Sequence, residues 1–172
     1  MARASSKDEK NVYYKRREEL GLTRDQASEL LECLTPERIE KIENERCIPH
    51  PEDVLVMADK YRSPELCNYY CSNQCPIGKE YVPEIKVQDL SQIVLRMLSS
   101  LNQVQDSQKR LIEITADGEI LEDEIADFVN IQAELEKISI TVETLQLWAE
   151  HMIANGNIDE KKYEEQRAKL KK

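Results

Sequence analysis

The chain has 172 residues, of which 40% are hydrophobic and 34% are charged, and its net charge at pH 7 is −10. A chain of this length and apolar content can bury a core, which excludes an intrinsically disordered protein. The negative charge excludes a protein that coats nucleic acid with its whole surface, and no apolar run approaches the roughly twenty residues that a membrane-spanning helix needs. With only four glycines, six prolines and one phenylalanine, the composition predicts an all-α fold.

The first nine residues are polar and lack the apolar core of a secretory signal. We therefore expect residues 1–9 to be a flexible N-terminus and the protein to be cytoplasmic. The five cysteines are an odd number, and three of them, Cys67, Cys71 and Cys75, lie within nine residues. This is a poor disulfide framework, so we expect reduced thiols.

Prolines mark the expected starts of helices in the next part of the chain. A glutamate follows each of Pro36, Pro51, Pro64 and Pro83, and proline at the first helical position followed by a carboxylate suits the amino end of a helix. Residues 10–76 are therefore expected to form five short helices. Their predicted spans are about 10–20, 24–31, 36–44, 51–61 and 64–75.

Capping and apolar spacing support the same five helices. Thr23–Gln26 has the form of a capping box, and Gly21 can close the preceding helix. Apolar residues recur at helical spacing through this part of the chain and can meet in one small core. The expected core residues are Leu20, Leu22, Ala27, Leu30, Leu31, Leu34, Ile39, Ile42, Val54, Leu55 and Ala58.

Beyond a predicted linker at 77–83, the pattern changes to two long helices. The first spans about 84–114, and its apolar stripe consists of Leu90, Ile93, Val94, Met97, Leu98, Leu101 and Val104. After a break at 116–120, the second has the alternating steps of four and three that are typical of a coiled-coil seam. The members of that seam are Leu121, Ile125, Phe128, Gln132, Leu135, Ser139, Val142, Leu145 or Gln146, and Met152.

These patterns predict the organisation of the second half of the chain. We expect residues 84–158 to form an antiparallel helical hairpin and residues 159–172 to form a charged helical tail. The apolar stripes exceed what two helices can cover. We therefore expect a second copy to bury the remainder, giving a homodimer through the C-terminal helices.

Residues 11–66 resemble a known family of regulators. The residues at 21–24 are Gly-Leu-Thr-Arg, and those at 39–44 are Ile-Glu-Lys-Ile-Glu-Asn. In order and spacing these segments resemble the bacterial and phage repressor/Cro-like (XRE-type) helix-turn-helix transcriptional regulators. The resemblance implies a lambda-repressor-like domain over residues 10–76, whose third helix enters the major groove of double-stranded DNA.

The resemblance also implies which residues contact DNA. Arg24 would contact phosphate at the start of the second helix, and Arg46 would contact phosphate just after the third. The exposed side of the third helix would meet base edges. The residues implied there are Thr35, Pro36, Glu37, Arg38 and Lys41.

The chain departs from this family on the same surface. Glu45 stands where the family usually has glycine, and Glu37 and Glu40 lie on the side that would face the groove. Carboxylates accept hydrogen bonds from the cytosine amino group, yet they repel phosphate. Residues 1–24 nevertheless carry seven basic and four acidic side chains, whereas residues 65–172 have a net charge of −8. A local basic patch could thus face DNA while the distal part is repelled from it.

The three cysteines of the fifth predicted helix suggest a metal site or a redox switch, because a spacing of four keeps them on one face. On a straight helix the Cα atoms of Cys67 and Cys75 are about 12 Å apart, which is too far for one zinc ion to bridge. A single ion would need two neighbouring cysteines and a further ligand such as Cys33, Cys47 or His50. The alternative is that the cysteines pack as small apolar residues, and we predict no cofactor and no metal ligand.

The sequence carries no catalytic constellation. Its only histidines are His50 and His151, and it has no glycine-rich phosphate loop or nucleophile motif. We therefore predict a non-enzymatic, sequence-specific DNA-binding transcriptional regulator with double-stranded DNA and a second copy as partners, and no membrane. Two alternatives stay open: a protein-interaction adaptor with a degenerate helix-turn-helix, and a thiol- or metal-responsive sensor that uses the three clustered cysteines.

Overall fold

The computed structural model describes residues 10–116 and 118–170, except for the side chain of Asp106. All regular secondary structure in these residues is helical, which confirms the all-α prediction. None of the helices in this described part is long and apolar enough to cross a membrane. The predicted flexible segment 1–9 and the last two residues of the predicted tail lie outside the described residues.

The described residues form two compact units. The first unit contains residues 10–84 together with 150–170, and the second contains residues 85–149. The predicted hairpin extended to residue 158, whereas residues 150–158 group with the first unit. There Nδ1 of His151 lies 3.3 Å from Oε2 of Glu65.

Five short helices begin the first unit. Their observed ends lie within two residues of the predicted ones, because local caps define them. Asn11, Thr23 and Thr35 each accept a hydrogen bond from a backbone amide of the first turn. The helices are α1 (Val12–Glu19), α2 (Arg24–Leu31), α3 (Pro36–Glu43), α4 (Pro51–Lys60) and α5 (Glu65–Asn73).

The junction between α1 and α2 has the predicted form. Gly21 has a φ of +68°, and its amide donates to the carbonyl of Glu18, so glycine closes α1 in the left-handed conformation. The capping box is also confirmed, since Gln26 donates its backbone amide to the Thr23 hydroxyl and accepts from the Thr23 amide with its side chain.

The core of the first unit contains most, but not all, of the predicted residues. Ala27, Leu31, Leu34, Ile39, Ile42, Val54 and Ala58 are buried as predicted. Leu20, Leu30 and Leu55 are exposed, and Leu22 is only partly buried, so the prediction is wrong for the first three. The buried residues that apolar periodicity missed are Tyr13, Met57, Tyr61 and Leu66.

The fourth proline-glutamate pair does not begin a helix. A short helix, α6 (Gly78–Tyr81), lies inside the predicted linker, and α7 (Leu90–Ile114) begins six residues later than predicted. The chain between them leaves helical geometry at Val82, which has a φ of −114° and a ψ of 113°. The carbonyl of Pro83 accepts a hydrogen bond of 3.0 Å from the side chain of Asn68, which ties this segment to α5.

Gly78 lies against the backbone of α5. A Cβ atom at this position would overlap the carbonyl of Cys71, which cannot move without bending α5. We therefore expect Gly78→Ala to lower the free energy of unfolding by about 1–3 kcal/mol, the usual cost of overpacking. Urea denaturation would measure it, with the exposed Lys79→Ala as the control. Equal stability of the two variants would contradict this packing.

The second unit contains α7 and most of α8 (Ile125–Ala154), and α9 (Glu160–Leu170) follows in the first unit. Nε of Arg110, near the end of α7, donates to Asp127 at the start of α8 over 2.7 Å. Ser100 of α7 and Thr141 of α8 line one groove farther along. The carboxyl end of α7 therefore lies beside the amino end of α8.

Each of these two helices has an inner row of buried or half-buried residues with heptad spacing. The inner row of α7 is Ile93, Met97, Ser100, Val104, Ser107, Leu111 and Ile114. The inner row of α8 is Ile131, Glu134, Ile138, Thr141, Leu145 and Trp148. Steps of three and four along both rows are those of helices that pack side by side.

The predicted coiled-coil seam is not the buried side of α8. Ile125, Leu135 and Val142 of the predicted seam are exposed. From Gln132 to Val142, each residue of the seam comes one position after a residue of the inner row. The helix also begins later than predicted, because the backbone amide of Leu121 donates to Oε2 of Glu124 in a turn before it. The spacing thus predicted a helix correctly, but within one chain the seam is not the side of α8 that packs against α7.

Candidate nucleic-acid interface

The candidate interface is formed by α2, α3 and the turn between them. Glu32 ends α2 with a φ of +59°, in the left-handed region. The Ser28 hydroxyl of α2 donates to the carbonyl of Leu34 over 2.7 Å and so connects the two ends of the turn. Ile39 and Ile42 bury one side of α3 in the core. The opposite side of α3 is therefore free to meet a partner.

A buried ionic cluster joins α3 to α1 and α2. Nε of Arg17 donates to Oε1 of Glu43 over 2.5 Å, and Nε of Arg24 donates to Oε2 of the same carboxylate over 2.9 Å. The side chains of Arg17 and Glu43 are only 4% and 1% exposed. Burial by itself would lower the pKa of Arg17, but the hydrogen bonds to Glu43 and Glu18 outweigh it and raise that pKa. Arg17 is therefore charged, and it balances the charge of Glu43.

Glu43 also explains why Arg24 is not freely available. Arg24 is predicted to contact a DNA phosphate, and its side chain is about one-third exposed. Its Nε is nevertheless engaged by a carboxylate of its own chain. A phosphate would have to share this guanidinium with Glu43.

Removing the negative charge of Glu43 should destabilise the first unit. In Glu43→Gln, the buried Arg17 loses its buried anion and keeps only the largely exposed Glu18 as a charged partner, and breaking a buried pair in this way costs about 3–5 kcal/mol. We expect a loss of that size in the free energy of unfolding, measured by guanidinium denaturation. Glu40→Gln is the control, because Glu40 lies in the same helix but is half-exposed; a similar loss in both variants would show that the buried pair does not matter.

A second ion pair engages the predicted base-reading arginine. Both Nε and an Nη atom of Arg38 donate to Oδ2 of Asp53 in α4, with an Nε to Oδ2 distance of 3.1 Å. The same oxygen accepts from the backbone amide of His50 and caps α4. Arg38 therefore connects α3 to α4 and points part of its donor set away from the open side of α3.

The remaining predicted residues lie at the surface. Thr35 caps α3, Pro36 is half-exposed, and Glu37 and Lys41 are exposed. The pKa of Glu37 is lowered, first by a hydrogen bond from its own backbone amide, then by the Thr35 hydroxyl and the charge of Lys41. Glu37 is therefore ionised at neutral pH.

The cations in the last turn of α3 and just after it make weak ion pairs at most. Arg46 is 68% exposed and lies 3.8 Å from Glu40. No ion pair is found for Lys41 within the described residues. Apart from the buried Glu43, residues 23–46 nevertheless carry six acidic and four basic side chains, so the surface is acidic overall.

An open cleft of about 520 Å³ lies beside the amino ends of α2 and α3. Its walls carry four carboxylates, and its two arginines are those that bind Glu43. The lining residues are Tyr14, Arg17, Glu18, Arg24, Asp25, Pro36, Glu37 and Glu40.

The clustered cysteines form no recognisable metal centre. Among the described residues, no group of three or more His, Cys, Asp or Glu side chains is arranged to hold a metal ion. Cys67, Cys71 and Cys75 are all half-buried thiols. Burial raises the pKa of Cys67, with smaller contributions from Cys71 and Glu150.

Because its pKa is raised, we expect the Cys67 thiol to react slowly with alkylating reagents. Thiolate is the reactive form, so Cys67 should react with iodoacetamide at pH 7.5 more slowly than the exposed Cys33. Mass spectrometry after partial alkylation would compare the two sites, and the difference should disappear in 6 M guanidinium. If Cys67 reacted first, a thiol-sensing role would gain support.

Sequence reasoning missed Arg17, Glu43 and Asp53 as structural residues. A partial signal existed, because Glu43 follows the predicted core residue Ile39 by four positions, and residues four apart share a helix face. The corresponding signal for Arg17 is its position four residues after Tyr13, but the burial of Tyr13 was itself not predicted.

Comparison with family models, with curated proteins and with solved structures finds no match for this chain.

Proposed function

We propose that the first unit is a helix-turn-helix domain that binds double-stranded DNA through α3 as a non-enzymatic transcriptional regulator. The observation that carries the proposal is the pair of eight-residue helices α2 and α3, joined by a tight turn, with one side of α3 buried and the other open. Helix-turn-helix recognition requires this arrangement. The XRE-type resemblance of the sequence supports the same function.

The charges of the surface set how this domain would bind. Arg24 and Arg38 are engaged by Glu43 and Asp53. The cations that α3 and its end offer to phosphate are then Arg46 and Lys41, and we reassign Lys41 from the base edges to the phosphate backbone. Few phosphate contacts imply a shallow salt dependence, because each contact contributes a slope of about −0.9 in log K against log salt concentration. Binding would then depend on base contacts more than on charge.

Charge variants on α3 provide the test. Lys41→Ala should weaken binding to a duplex that carries the DNA upstream of the gene, and should reduce the salt slope by about one unit per bound copy. Glu40→Gln should strengthen binding, because it removes a phosphate-repelling carboxylate from the same surface. Electrophoretic retardation at several salt concentrations measures both effects.

The control is Lys60→Ala, which removes an exposed cation at the carboxyl end of α4, away from α3. It should leave affinity and salt slope unchanged. Absence of retardation of the upstream duplex and of a random duplex of equal length, even at low salt, would overturn the proposal.

A second candidate function is a protein-interaction adaptor, and the acidity of the surface favours it. Between residues 23 and 46 six carboxylates are exposed or half-exposed, Glu43 being buried, and they suit a partner rich in lysine or arginine. The same variants discriminate, because Glu40→Gln would weaken binding to a basic partner and strengthen binding to DNA.

A further inference from the structure

The outer sides of α7 and α8 are apolar and uncovered. On α7, Leu98 is 53% exposed and Ile112 is 61% exposed. The outer row of α7 consists of Leu90, Val94, Leu98, Leu101 and Ile112, with Gln105 and Gln108 at the same spacing. The outer row of α8 consists of the exposed Ile125, Leu135 and Val142 and the half-buried Phe128, with Gln132 and Ser139 between them.

Both outer rows lie on the same side of the helix pair. On α7 the outer position Val94 follows the inner position Ile93, and on α8 the outer position Gln132 follows the inner position Ile131. One residue is a rotation of about 100° around the helix axis. The end of α7 lies beside the start of α8, so the two helices are antiparallel. Viewed from one end of the pair, the step from inner to outer row is therefore clockwise on one helix and anticlockwise on the other. Since the inner rows face each other, both outer rows turn toward one common face of the pair.

The two outer rows of this face carry no charge. None of their thirteen positions is acidic or basic, although 34% of the chain is charged and residues 85–149 have a net charge of −7. Each outer row has the 3.5-residue period that matches another helix. A surface with these properties is suited to packing against helices rather than to exposure.

The area of this face is close to the area that one partner buries in a stable dimer. The 25 residues of α7 extend about 37 Å, and two adjacent helices are about 20 Å wide, so the face measures roughly 750 Å². A stable interface buries about 800 Å² on each partner. A second copy supplies an equal face with the same period, and a twofold axis can bring the two together.

We infer that the outer rows of α7 and α8 pack against the same rows of a second copy of this chain, so that two helix pairs form a four-helix bundle. Apolar side chains that are exposed in one copy are buried between two, as in other bundles. The bundle joins two copies of the first unit whether or not that unit binds DNA.

Sedimentation equilibrium of the full chain, without DNA, tests this inference. The protein should be a dimer at about 10 µM, and Leu98→Glu should be a monomer because it places a charge in the outer row. Leu95→Glu is the matched control. Leu95 is 68% exposed on the same helix but lies a further 100° beyond the outer row, so this variant should remain a dimer.

Ile112→Glu provides a second break in the outer row at a highly exposed position, and circular dichroism should show unchanged helix content in all three variants. The wild type should dimerise more strongly as salt rises, since salt screens the repulsion between two units of charge −7. A monomeric wild type at about 100 µM, or equal dissociation of Leu95→Glu and Leu98→Glu, would overturn the inference. Dissociation with rising salt would do the same, because it would indicate an interface held by opposite charges.

Discussion

The carboxylate of Glu43 is the interaction on which the first unit depends. It lies at the end of α3, where it accepts from Arg17 of α1 and Arg24 of α2. Moving these charges out of water costs several kcal/mol for each ion, and only close pairing offsets that cost. The pairing therefore admits one orientation of α3 relative to α1 and α2, while Ile39 and Ile42 supply the apolar contact.

Fixing α3 in this way uses the cations that a DNA-binding surface needs. Arg24 and Arg38 are engaged within the chain, and the open side of α3 keeps Glu37 ionised beside Lys41. If the domain binds DNA as proposed, two linked copies would bind more tightly than one, because the second site binds at a high effective concentration. The proposed bundle of α7 and α8 would supply that link.

The second unit shows why a heptad pattern does not identify its own partner. Rows offset by one residue share the same period, so α8 contains an inner row through Ile131 and an outer row through Gln132. The inner rows include Ser100, Glu134 and Thr141, and the outer rows are just as rich in apolar residues. Periodicity therefore cannot tell the side that faces α7 from the side that faces outward.

The helices of the first unit follow from local sequence, because proline, threonine caps and Gly21 act over one turn of chain. Most of the core follows as well, because apolar spacing indicates which face of a helix avoids water. The pairing of Arg24 with Glu43, the pairing of Arg38 with Asp53 and the side of α8 that is buried are visible only in the folded chain. These contacts join residues more than fourteen positions apart or choose between equal periods, and local sequence rules carry no information about either.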